Sequence, residues 1–138
     1  MSYESDLFEW TKAQADALRR RASNELDWDN LAEEIETLGR SNRHQIESRL
    51  ENLILHLLKW KYRPELRCGS WRSSIREARY RLRRLLNENP SLHSYPAEYL
   101  PEAYPLSRDY ALDQTDLYHL PEACPWTIEQ VLADDFLP

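Results

Sequence analysis

Four arginines, Arg72, Arg76, Arg79 and Arg83, recur at spacings of four, three and four residues. On a helix this spacing puts them on one narrow face, since positions three and four apart are surface neighbours. Guanidiniums crowded on one face repel one another and demand anions, which arginine's planar fork can grip with two parallel hydrogen bonds. Glu33, Glu34 and Glu36 form a dense acidic cluster upstream. A charge network between that cluster and the arginine stripe, inside the fold, is therefore the leading expectation. The competing reading is an external anion: RNA, DNA or an acidic protein segment.

His56 is a third candidate. It lies at the edge of an apolar helical stripe, where a histidine is most often a satisfied core or interface residue. The four histidines, His44, His56, His93 and His119, show no i,i+3 or i,i+4 pairing with one another. A metal-dependent enzyme would have to bring Glu33, Glu34 and Glu36 to a distant His56 across a bundle. The six residues between Arg49 and His56 fit a signature that resembles that of small helical ribonucleases, with histidine as acid/base and arginine on the phosphate. With 15 arginines in the chain, such a spacing arises easily by chance. No catalytic residue, metal ligand or cofactor is assigned, and an enzyme is the less favoured reading.

Composition narrows the classes further. Gly39 and Gly69 are the only glycines, so neither a Walker loop nor a Gly-x-Gly-x-x-Gly turn can be written. Cys68 and Cys124 are too far apart for a Cys-x-x-Cys pair and too few for a disulfide framework. The longest apolar run, Leu53-Ile54-Leu55, is far short of the roughly 20 residues a bilayer span requires. The acidic start at Met1–Asp6 contains no apolar leader segment. A soluble cytoplasmic protein without membrane association is the expectation.

The net charge of -6 conceals three blocks. Residues 1–58 carry 7 basic and 12 acidic side chains, net -5; residues 59–84 carry 10 and 2, net +8; residues 85–138 carry 1 and 10, net -9. An acidic total steers polynucleotides away, so binding of nucleic acid through the Arg72–Arg83 face is the minor alternative.

The elements that must hold these residues are helices. A first amphipathic helix is predicted over residues 5–23. A long central helix follows over about 29–61, with Asp27 or Asp29 as its cap. Its stripe, Leu31, Ile35, Leu38, Asn42, Ile46, Leu50, Leu53, Leu57 and Trp60, alternates spacings of four and three. Around Leu53–Leu58 the helix is apolar on nearly all sides, which places it in the middle of a bundle or in an oligomer interface. A hairpin partner over about 70–89 starts at Ser70 and stops before Pro90. Beyond Pro90, the frequent prolines predict only short C-terminal helices and extended connections, with a capping box at Thr127–Gln130. Without a period-2 strand pattern, the fold class is all-α, a helical bundle forming one domain over residues 1–138.

Several of these segments resemble a known family. Leu31-Ala32-Glu33-Glu34-Ile35-Glu36-Thr37-Leu38-Gly39 is similar to an acidic helix motif of the bacterial domain-of-unknown-function 29 family. His56-Leu57-Leu58-Lys59-Trp60 with Pro64, Ser70-Trp71-Arg72, Asn89-Pro90-Ser91-Leu92, Cys124-Pro125-Trp126-Thr127 and Phe136-Leu137-Pro138 resemble its later blocks, in order. The resemblance implies an all-helical bacterial protein and carries over no activity, ligand or catalytic residue. From the residues themselves, the expected role is a non-enzymatic protein-interaction or self-associating module. Its partner would be another protein or a second copy of the chain.

Overall fold

The computed structural model describes residues 2–138. Among them are five α-helices and no strand, so the all-α bundle read from the sequence holds. The chain divides into two compact units, one ending at Ser41 and the other running from Asn42 to Pro138.

The first unit holds α1 (Leu7–Arg20) and the beginning of α2 (Trp28–Tyr62). Asp6 caps α1 by accepting the Glu9 amide at 3.0 Å, an acidic cap at the positive end of the helix dipole. The helix stops at Arg21, which adopts the left-handed conformation (φ 58°), and the Ala22 amide returns to the Ala17 carbonyl. Buried Trp10 donates its indole N–H to Asp27 at 3.0 Å. Gln14 joins the same turn from both ends of its amide, donating to the Glu25 carbonyl at 3.2 Å and accepting the Asp27 amide at 2.8 Å. Hydrogen bonds from Asn30 and Trp10 hold the Asp27 carboxyl below its ordinary pKa. These polar ties compensate for a small core of Trp10, Gln14 and Ala17.

The second unit is an up-down-up arrangement of α2, α3 (Gly69–Glu88) and α4 (Tyr95–Thr115). Asn42 meets Asn89, and Arg49 faces Glu77, so α2 and α3 run antiparallel. Tyr95 donates to Glu47 and Tyr99 to Glu51, both at 2.8 Å, while Ser107 donates to the Glu51 carbonyl at 2.8 Å. The rising numbers on both sides make α2 and α4 parallel. The core is Ile46, Leu50, Leu53, Ile54, Leu57 and Leu58, closed by Ile75 and Leu82 of α3 and by Leu120 and Val131 further on. The all-round apolar stretch Leu53–Leu58 is thus the centre of the chain's own bundle, covered on every side.

Helix boundaries fall within two residues of the predicted ones for α2 and α3, and the capping box at Thr127–Gln130 opens α5 (Ile128–Leu132). One element is longer than its prolines suggest. α4 runs for 21 residues through Pro101 and Pro105. Each proline deprives one carbonyl of its donor, but both sit on the exposed side, where water substitutes. On the inner side, Ala103, Tyr104, Ser107 and Ala111 are buried and keep the helix continuous.

Candidate functional site

The arginine stripe lies along one face of α3, and the structure gives its members different partners. Arg79 is 3% exposed. Its guanidinium donates to three backbone carbonyls of the C-terminal segment: Val131 at 2.9 Å, Asp134 at 3.5 Å and Phe136 at 2.7 Å. Burial pulls the Arg79 pKa down, opposed by the nearby Asp134 and Asp135 carboxylates. Arg83 reaches the Asp134 carboxylate. Arg72 lies over the Trp60 ring, 5.4 Å from its centroid. Arg76 is exposed and has no ion-pair partner among the described residues. Between α3 and the C-terminal segment is an open groove of about 380 Å³, with Ile75, Tyr80 and Leu137 in its wall and Arg72, Arg76 and Arg83 around it.

Among the described residues one anion answers this stripe, Asp134 near the chain's own C-terminal end, while Arg79 is held by backbone carbonyls of the same segment. The acidic cluster belongs to the first unit, where the Glu34 and Glu36 carboxylates have partners of their own. Glu34 accepts the Tyr3 hydroxyl, a contact that pushes the Tyr3 pKa up to about 12. Glu36 stands 4.0 Å from Arg40, and the Glu33 carbonyl accepts the Thr37 hydroxyl at 2.9 Å.

Arg79 is one of four arginines spent on backbone carbonyls. Arg63 donates to the Thr115 carbonyl through Nε at 2.9 Å, at the end of α4. Arg67 donates to Trp60 at 2.7 Å and to Pro138 at 3.4 Å, with its guanidinium stacked 4.8 Å over the Trp60 ring. Arg108 straddles the Leu120 and Pro121 carbonyls at 3.0 Å each, and Tyr104 donates to Pro121 at 2.6 Å. Helix ends and the irregular proline-rich segment after α4 both leave carbonyls unpaired, and a guanidinium with five donors in a fixed fork satisfies several at once. The preference for arginine over lysine follows from this geometry.

His56 is half-buried, with Nδ1 at 2.8 Å from the Asn52 carbonyl. A carbonyl can only accept, so Nδ1 carries the proton and Nε2 the lone pair. Burial lowers its pKa, only partly offset by the Asn52 contact, and the Lys59 charge lowers it further. The folded pKa lies below the ordinary 6.5, so acid favours the unfolded chain, which binds the proton more readily. Stability is expected to be full above about pH 6.5 and to fall as pH drops from there toward the lowered value. His56→Gln should flatten that part of a melting-temperature profile, and identical profiles for both proteins would refute the assignment. Among the described residues, no three His, Cys, Asp or Glu side chains are placed to hold a metal ion. The metal reading of Glu33, Glu34, Glu36 and His56 gains no support from this arrangement.

The first unit holds the N-terminal part of the α2 stripe, with Ile35 and Leu38 exposed and Trp28 beside them. Trp28, Ile35 and Leu38 are 64%, 68% and 67% exposed. With half-buried Leu31 they continue at spacings of three, four and three along α2. Leu7, Phe8 and Leu18 of α1 are exposed as well. No helix among the described residues is long and apolar enough to cross a membrane.

The described residues thus combine a packed three-helix unit, arginine-clamped backbone and an exposed apolar stripe on α2 within an all-α fold. The chain belongs to the family described as domain of unknown function DUF29, whose model matches residues 2–137. No curated protein and no solved structure matches it.

Proposed function

We propose that the protein is a non-enzymatic interaction module whose first unit docks a basic amphipathic helix of another protein. The observation that carries this is the exposed stripe Trp28, Ile35 and Leu38. Its spacing is that of a coiled-coil seam, and apolar residues in such a row favour a partner helix over water. Charge selects the occupant. Residues 1–41 carry 5 basic and 10 acidic side chains, net -5, and Glu34 and Glu36 flank the stripe. A second copy would bring the same net charge to the same face, so a helix with Lys or Arg beside its apolar row fits better. The Arg72–Arg83 face supports nucleic-acid binding less well, because Arg79 and Arg83 are already engaged.

Titration of a labelled amphipathic peptide, with leucines at heptad positions and lysines on the flanks, tests this reading by fluorescence anisotropy. Saturable 1:1 binding is expected, with a glutamate-flanked version of the same peptide failing to bind. Equal affinity for both peptides, or none for either, would contradict the proposal, as would a chain that dimerises through this stripe in sedimentation velocity.

A further inference from the structure

The groove between α3 and the C-terminal segment has the composition of a ligand site. Its volume of about 380 Å³ lies in the range of small-molecule pockets, which combine mostly apolar walls with a few placed polar groups. Ile75, Tyr80 and Leu137 supply the apolar wall. Arg79 is committed to the backbone carbonyls, and Arg83 matches Asp134, the one carboxylate lining the groove. Two guanidiniums remain, Arg72 and Arg76, one helical turn or about 6 Å apart along α3. Arg72 is steadied by the Trp60 ring, so part of the entropy of ordering it is already lost before any anion arrives.

We propose that this groove binds a small organic anion: a carboxylate or phosphate head held by Arg72 and Arg76, on an apolar body lying against Ile75, Tyr80 and Leu137. A polynucleotide fits less well. Only two free guanidiniums line the groove, Asp134 stands at its edge, and the chain as a whole carries a net charge of -6. The site lies wholly in the second unit and does not depend on the docking stripe of the first.

Isothermal titration with phenyl phosphate, octanoate, inorganic phosphate and a short single-stranded RNA tests the assignment. At least one of the two amphipathic anions is expected to bind one per chain, about 10-fold or more tighter than inorganic phosphate. The tighter of the two assigns the head group. Arg76→Ala should weaken that binding about 10-fold, and Arg72→Ala similarly. Both positions are exposed, so the variants should melt as the parent does. Arg81→Ala, on the same helix but paired with Glu77 at 3.7 Å, should bind normally. The proposal is overturned if neither amphipathic anion binds, if inorganic phosphate binds equally well, if Arg76→Ala and Arg72→Ala leave affinity unchanged, or if RNA is the tightest ligand.

Discussion

Arg79→Leu is expected to lower the unfolding free energy by about 3 kcal/mol and to free the C-terminal segment. The size follows from what the side chain holds. Two short hydrogen bonds and one longer one run from a single buried guanidinium to Val131, Phe136 and Asp134. Hydrogen bonds from charged donors are each worth roughly 1.5–3 kcal/mol, and bonds sharing one donor group do not simply add. Leucine fills much of the space and removes the cost of burying a cation, which limits the loss. It leaves three carbonyls that only water can satisfy, and water reaches them only if the segment lifts from α3. Urea unfolding measures the global change, and limited proteolysis beyond Ala133 reports the local one. Arg79→Lys should recover only part of the loss, because an ammonium cannot span three carbonyls. A variant with leucine that unfolds and resists protease like the parent would show that the clamp contributes nothing.

The clamp's partners are backbone carbonyls that no residue spacing encodes. Periodicity placed the stripe Arg72, Arg76, Arg79 and Arg83 on one helical face, and α3 carries it there. Periodicity cannot say which acceptor arrives, because the Glu34 carboxylate and the Phe136 carbonyl both accept hydrogen bonds and only tertiary placement separates them. The carbonyl partners of Arg63, Arg67 and Arg108 are backbone atoms without a residue-type signature, so no spacing pattern announces them. In α4, the prolines were legible but their facing was not. Pro101 and Pro105 fall on the water side of a helix whose other side is pinned by Tyr95, Tyr99 and Ser107. The long stripe of α2 shows the same boundary between pattern and context. Its spacing from Leu31 to Trp60 is uniform, yet Ile46 onward is core while Ile35 and Leu38 face solvent. Hydrophobic phase identifies a face; the neighbouring elements decide whether that face is covered.

Ile35→Asp combined with Leu38→Asp is expected to weaken the lysine-flanked peptide by on the order of 100-fold while leaving thermal stability within experimental scatter. Each side chain is about two-thirds exposed in the free protein, so aspartate at either position meets water and costs the fold little. In the docked state the same carboxylates would be buried in an apolar seam, where an unpaired charge is strongly unfavourable. The loss would arise despite a gain in long-range attraction for a basic peptide, which separates contact from charge. A rise in affinity would show that the peptide is held by charge alone.

Where on the chain a partner helix sits separates docking on the first unit from binding at the arginine face. Amide chemical-shift mapping of the isotope-labelled protein, titrated with the lysine-flanked peptide, reads that location residue by residue. Shifts concentrated on residues 28–38 of α2 and on the exposed side of α1, with α3 undisturbed, are expected. Shifts centred on Arg72–Arg83, or spread evenly over the acidic surface, would contradict docking on the first unit.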